Sequence, residues 1–202
     1  MWRSGGASAN VVLPGLVPGI QPSAIAGASR TLDPGDERRD DTSMTEPFDP
    51  ASHRVGPSRY FEDFAVGQSF YIPSRTVTEA QFLAFQAASG DNHPIHYDRE
   101  FCRRHGHRDL LAHGYQVLIQ TAAGAGQFPF LVEDSLLGFI EQSSRFLKPV
   151  YAGDTLYPRL TVSELKPQRT TGVLTLASTV HNQKGELVLE GLQRYLLKKR
   201  PQ

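Results

Sequence analysis

Ser89-Gly90-Asp91-Asn92-His93-Pro94-Ile95-His96-Tyr97-Asp98 places a carboxylate and an imidazole on one short, stiffened turn. Pro94 fixes its own φ and drives His93 toward an extended conformation. Gly90 frees the backbone to turn just before the acid. A bare Asp and His on a loop would more simply be a turn cap and a satisfied core histidine. The glycine, the proline and a second pair downstream, His113-Gly114, tilt the reading toward chemistry.

Working outward, Thr78-Glu79-Ala80-Gln81 is a capping-box pattern, which predicts a helix from Thr78 that carries Phe82, Phe85 and Ala88 and ends near Gly90. Asp98 can cap a second short helix and Gly106 can close it. The stretch Gly114 to Gln127 reads as a third helix, rich in small residues. Glycine inside an exposed helix costs roughly 1 kcal/mol against alanine, so those small residues make sense if a sheet wraps closely around it. Before the capping box, Gln68 to Val77 reads as a strand. After Pro129 the chain turns strand-like: Leu136 to Val150, Thr155 to Leu165, Gly172 to Asn182 and Leu187 to Lys199. The short connections between them imply antiparallel neighbours. The expectation is an α+β domain, a curved antiparallel sheet of about five strands around a central helix, spanning residues 58–202.

Gly90-Asp91-Asn92-His93-Pro94-Ile95-His96 resembles the signature of the MaoC-like dehydratases and (R)-specific enoyl-CoA hydratases, usually Gly-Asp-x-Asn-Pro-aliphatic-His. Asp91, Pro94 and His96 match; His93 stands where the family more often has Asn. Ala112-His113-Gly114 is similar to the family's His-Gly at the start of its central helix, and the likeness runs from about Tyr60 to Lys199. The resemblance implies a hotdog fold, a homodimer, Asp91 and His96 as the catalytic pair, and the Gly114 backbone N–H as oxyanion donor. It points to His113, Asn92 and His93 as neighbours on the substrate side.

The chemistry suits those residue types. Hydrating an α,β-unsaturated thioester needs a base for water, a proton for Cα and stabilisation of charge on the carbonyl oxygen. A histidine with an ordinary pKa near ~6.5 fits the first need. A carboxyl group beside it can orient the same water and relay a proton, so that both act on one face of the alkene. A thioesterase on a similar fold, with the carboxylate activating water against the carbonyl, and a non-catalytic acyl-CoA-binding module remain alternatives. Arg103, Arg104 and Arg108 could meet coenzyme A phosphates, although a solvated basic face is the blander reading.

Other classes fare worse. The sequence has no His-Glu-x-x-His and a single cysteine, Cys102, so no metal and no cofactor are expected. Gly124-Ala125-Gly126 lacks the third glycine and the preceding strand of a dinucleotide fingerprint. With 21 basic and 21 acidic residues the formal charge is zero, which gives no bulk attraction to nucleic acid or an anionic membrane. No apolar run approaches the ~20 residues of a bilayer span. Lone Cys102 fits a reducing, cytoplasmic setting. Residues 1–57 differ from the rest: Gly, Pro, Ser and Ala dominate and no period persists. They read as a disordered extension, with Met44 as a plausible true start.

Overall fold

The computed structural model describes residues 47–201; the expectations for residues 1–46 lie outside them. Pro50–Ser52 forms a 3-10 turn capped by Asp49. Just beyond it, and before the boundary expected near residue 57, Arg54 pairs with Asp134 at 2.8 Å.

The sheet has six strands rather than about five: β1 Ser69–Tyr71, β2 Arg75–Thr76, β3 Leu136–Phe146, β4 Thr155–Pro167, β5 Thr171–Asn182 and β6 Leu187–Lys198. Its order is β1-β4-β5-β6-β3, with β2 also on β4, and every pairing is antiparallel. The single strand expected over 68–77 is split around Pro73, which has no N–H to give to a ladder. β3 stops at Phe146, short of the Val150 expected. Beyond it the chain peels off, and Tyr151 bridges to Leu111 instead.

Four short helices cross one face of the sheet region: α1 Glu79–Ser89, α2 Arg99–Arg104, α3 Gly114–Leu118 and α4 Phe128–Leu131. The capping box holds as read: the Gln81 side chain accepts the Thr78 N–H at 3.1 Å. Gly90 closes α1 with φ 71°, a left-handed conformation that a side chain would resist. Asp98 accepts the Phe101 N–H at 3.0 Å and starts α2.

The expected helix over 114–127 is not continuous. It is α-helical only to Leu118, then runs through 3-10 turns at Ile119–Thr121 and Ala123–Ala125. Thr121 turns its hydroxyl back onto the Leu118 carbonyl at 2.8 Å, a bond that bends helices. Gln193 of β6 takes the Thr121 carbonyl at 2.9 Å, so an acceptor that would have continued the helix is used by the sheet. Close approach of the sheet is real at Gly126, where an added Cβ would sit 3.0 Å from the Tyr71 carbonyl.

Strand alternation splits the interior into two apolar clusters with a polar layer between. Along β5, Leu174 and Leu176 belong to one cluster and Val180 to the other, with buried Ser178 in between. Along β6, Gly191 and buried Gln193 separate Leu189 from Tyr195 and Leu197. Gln116 and Gln120, on α3 and its 3-10 extension, are buried as well. Every group in this layer must find a partner or cost desolvation. Gln193 does so twice on Thr121 and receives the Tyr195 hydroxyl at 2.9 Å.

Candidate active site

The loop after α1 is built by its own side chains. Asp91 Oδ1 accepts the His93 N–H at 3.2 Å. His93 caps the 3-10 turn Pro94–His96, its Nδ1 accepting the Ile95 N–H at 3.3 Å. His93 is held extended at ψ 132°, as the following proline requires. The turn is then pinned to the rest of the domain, because the Leu111 N–H donates to the Ile95 carbonyl at 3.1 Å and the Ala112 N–H to the Val150 carbonyl at 2.8 Å. These bonds carry the start of α3 against the loop.

That docking puts three groups together. Asp91 Oδ2 lies 3.9 Å from His96 Nε2 and 3.9 Å from His113 Nε2. The two imidazoles stack, with centroids 3.6 Å apart and planes 21° from parallel. Both histidines are buried, whereas the Asp91 side chain is half exposed. His96 Nδ1 donates its hydrogen to the Leu111 carbonyl at 2.5 Å. The neutral ring is therefore protonated on Nδ1, and Nε2 keeps a lone pair facing Asp91. Burial lowers the His96 pKa from its ordinary value. The Leu111 carbonyl and the Asp91 charge oppose this, and His113 and His93 add to it. The result is a base that stays unprotonated at neutral pH.

A cavity of about 630 Å³ opens on this group, lined by Phe85, Ser89, Asp91, His96, His113, Gly114, Tyr115, Ser144 and Phe146. Gly114 is the first residue of α3, so its N–H has no partner within the helix. α3 is only five residues long, so it adds little dipole, and what faces the cavity is the backbone N–H itself. A Cβ at Gly114 would lie 3.2 Å from the Phe146 ring, so glycine keeps that wall open.

Asp91, His96, His113 and Gly114 thus line one cavity. Asn92 and His93 are not among its lining residues: Asn92 bonds to the Gln86 side chain, and the His93 ring packs edge-on against Phe101 at 5.6 Å. The three arginines separate. Arg103 pairs with Glu100. Arg108 holds both oxygens of buried Asp154, at 2.6 and 2.7 Å, and stacks over Tyr151. Arg104 is the one of the three without a carboxylate partner among the described residues. His113, expected on the substrate side, lies as close to Asp91 as His96 does. Sequence reasoning passed over Tyr97, whose hydroxyl is 2.9 Å from His113 Nε2, although its place beside His96 was a usable signal.

Asp91, His96 and His113 each offer a ligand atom within 4.8 Å of the others, so donor count alone would admit a cation. The geometry does not favour one. A metal sits along the in-plane lone pair of an imidazole, and two nearly parallel stacked rings aim theirs side by side rather than at one point. His113 Nε2 is moreover already within hydrogen-bond distance of Tyr97.

The chain is similar to known proteins. Over 124 residues the chain is 36% identical to Protein MaoC of Klebsiella aerogenes, covering 58% of this chain but only 35% of that protein. It is 29% identical over 136 residues to an (R)-specific enoyl-CoA hydratase of Rhodospirillum rubrum, covering 65% of this chain and 87% of the relative. An Archaeoglobus structure described as a monoamine oxidase regulatory protein superimposes with TM-score 0.68 at 32% identity, over 73% of this chain and 99% of that one. A Mycobacterium tuberculosis structure described as a double hotdogfold does so with TM-score 0.61 at 27% identity, over 71% of this chain and 45% of that one. The MaoC like domain model matches residues 63–184, and with this hotdog architecture the chain belongs to the MaoC-like domain family.

Proposed function

We propose that the protein adds water to a 2-enoyl-CoA thioester to give the (R)-3-hydroxyacyl product, or runs the reverse dehydration. The observation that carries this is the pairing of Asp91 Oδ2 and His96 Nε2 at 3.9 Å, with the other His96 nitrogen committed to Leu111. A water about 2.8 Å from each atom would be held at an angle of about 90°, close to its own preferred geometry. His96 takes a proton from that water as its oxygen bonds to Cβ. The pair then returns a proton to Cα, so both new bonds form on one face. The Gly114 N–H, on the same cavity wall, is placed to receive the thioester oxygen as charge develops, a contribution typically worth ~10²–10³ in rate.

A second, apolar cavity of about 390 Å³ lies along the broken helix, walled by Leu118, Ile119, Ala122, Phe128, Leu136 and Phe139 among others. Leu118 is four residues past Gly114, roughly 6 Å along α3. An acyl chain entering beside Gly114 finds its apolar room there. Arg104, free of a carboxylate partner among the described residues, remains the candidate for a coenzyme A phosphate.

The test uses crotonyl-CoA, following enoyl absorbance and free thiol in parallel. Loss of absorbance without thiol supports the hydratase; thiol release alone would make it a thioesterase; neither, with binding retained, would make it a binding module.

The functional unit is a homodimer. β3 is an eleven-residue edge strand, unpaired on one side, and exposes Phe139, Ile140 and Phe146. Tyr115 and Ile119 are exposed on the neighbouring helical segment. A long apolar edge invites pairing with another chain. Sedimentation is expected to give a dimer at micromolar concentration; a stable monomer would refute it.

A further inference from the structure

His113 Nε2 lies 3.9 Å from Asp91 Oδ2, and both of its ring nitrogens have polar neighbours. Nδ1 is 3.1 Å from Gln116 Oε1, and Nε2 is 2.9 Å from the Tyr97 hydroxyl and 3.4 Å from the Asp91 carbonyl. With the Gln116 amide turned this way its Oε1 can only accept, so Nδ1 carries the hydrogen, and the 3.4 Å approach of Nε2 to the Asp91 carbonyl is then a contact and not a hydrogen bond. In the neutral ring Nε2 is then a lone pair, and the Tyr97 hydroxyl is the donor that fills it. We propose that Tyr97 and Gln116 together hold His113 as its Nδ1–H tautomer, so that His113 offers Asp91 Oδ2 no N–H and leaves that carboxylate oxygen to the reacting water.

The alternative arrangement is built from the same atoms. If Nε2 carried the hydrogen, it would point at the Asp91 side, where Oδ2 is 3.9 Å away, the same distance as His96 Nε2. Asp91 would then face an imidazole N–H, where His96 Nε2 presents only a lone pair, and the water would compete with that N–H for the oxygen. Tyr97 at Nε2 and Gln116 at Nδ1 prevent this. Gln116 is 1% exposed and its Nε2 has no hydrogen-bond partner. An amide turned the other way would give that nitrogen to His113 Nδ1 and reverse the tautomer, so the choice of tautomer has consequences for both residues.

The groups facing the pair are few. His113 is met by Asp91, Tyr97 and His96, and otherwise by the rings of Phe82 and Phe85. His96 is met by Asp91, His93, Tyr97 and His113. The Tyr97 phenol is itself pushed up from its ordinary pKa by burial and by the Asp91 charge, which keeps it a hydroxyl donor across the working range. In this arrangement Tyr97, His113 and Gln116 are positioning residues, acting on the reaction through Asp91.

The experiment has two arms, and only the kinetic one rests on the hydratase reading. In the full chain labelled with ¹⁵N-histidine, the wild-type protein at neutral pH should show His113 with a protonated Nδ1 and a bare Nε2. In Tyr97→Phe, which keeps the aromatic ring and its packing, the Nε2 signal should move toward the protonated form. A wild-type His113 protonated on Nε2, or a Tyr97→Phe spectrum unchanged at His113, would overturn the inference. In crotonyl-CoA hydration, Tyr97→Phe should lower kcat about tenfold, the order expected from one hydrogen bond, with KM nearly unchanged and the acid limb of the pH profile displaced. An unchanged kcat and limb would equally overturn it. Absence of any hydration by the wild type would sink the hydratase reading while the spectra still decide the tautomer.

Discussion

The loop around His96 and the helix start around His113 hold the same side chain against the same carboxylate, yet by different means. His96 is fixed through its backbone neighbourhood. Pro94 shapes the turn, and a carbonyl fifteen residues on, that of Leu111, takes Nδ1. His113 is held by two side chains, Tyr97 and Gln116. The first arrangement leaves a lone pair turned toward Asp91 and the cavity. The second satisfies both nitrogens without using the carboxylate oxygen. Equal distance to Asp91 therefore does not mean equal role: what separates a base from a support is which ring nitrogen is already spent.

The sharpest way to break this comparison is to remove the working side. Asp91→Asn and His96→Ala should each lower hydration by at least ~10²-fold, the lower end for a general acid–base group. The double variant should be little worse than either single one, because both act on one water. Asp91→Asn should remain folded, since its side chain is half exposed; His96→Ala empties a buried site, so its fold is checked by circular dichroism before its rate is read. Near-wild-type rates in both folded variants would place the active site elsewhere.

A smaller effect tests the helix side. Gly114→Ala keeps the backbone N–H but places a methyl 3.2 Å from the Phe146 ring. Crowding there should cost about tenfold in rate, below the ~10²–10³ of a lost oxyanion donor. Phe146→Leu added to it should recover most of the loss. Failure of that rescue would mean that Gly114 matters for something other than room beside its N–H.

The smallest expected effect concerns pH and stability, and it distinguishes the His96 loop through its own titration. Folding lowers the pKa of His96, chiefly by burial. In the window just below the unfolded value of ~6.5, the unfolded chain then binds more protons than the folded one, so stability falls as pH drops through it. The Tm should decline across that window, and His96→Gln should flatten the decline. An equally steep decline in His96→Gln would assign it to another group.

Much of this was determined by the sequence alone. The capping box at Thr78, the left-handed Gly90, the Pro94 turn and the Asp98 cap all act over three or four residues, within reach of rotamer and backbone rules. The alternation of β4, β5 and β6 shows the same locality at period two. Asp91 and His96 were legible as a pair because a single turn carries both.

Tertiary structure decided what lies farther apart in the chain. The segment 114–127 has helix-forming composition, yet Gln193, 72 residues beyond Thr121, takes the carbonyl that the helix would have used. Arg108 looked available to a phosphate until Asp154, 46 residues on, occupied it. His113 reached Asp91 only because Leu111 and Ala112 pair with Ile95 and Val150. Hydrogen-bonding groups take whichever partner the packed interior presents, since leaving one unmade costs more than the local preference it overrides.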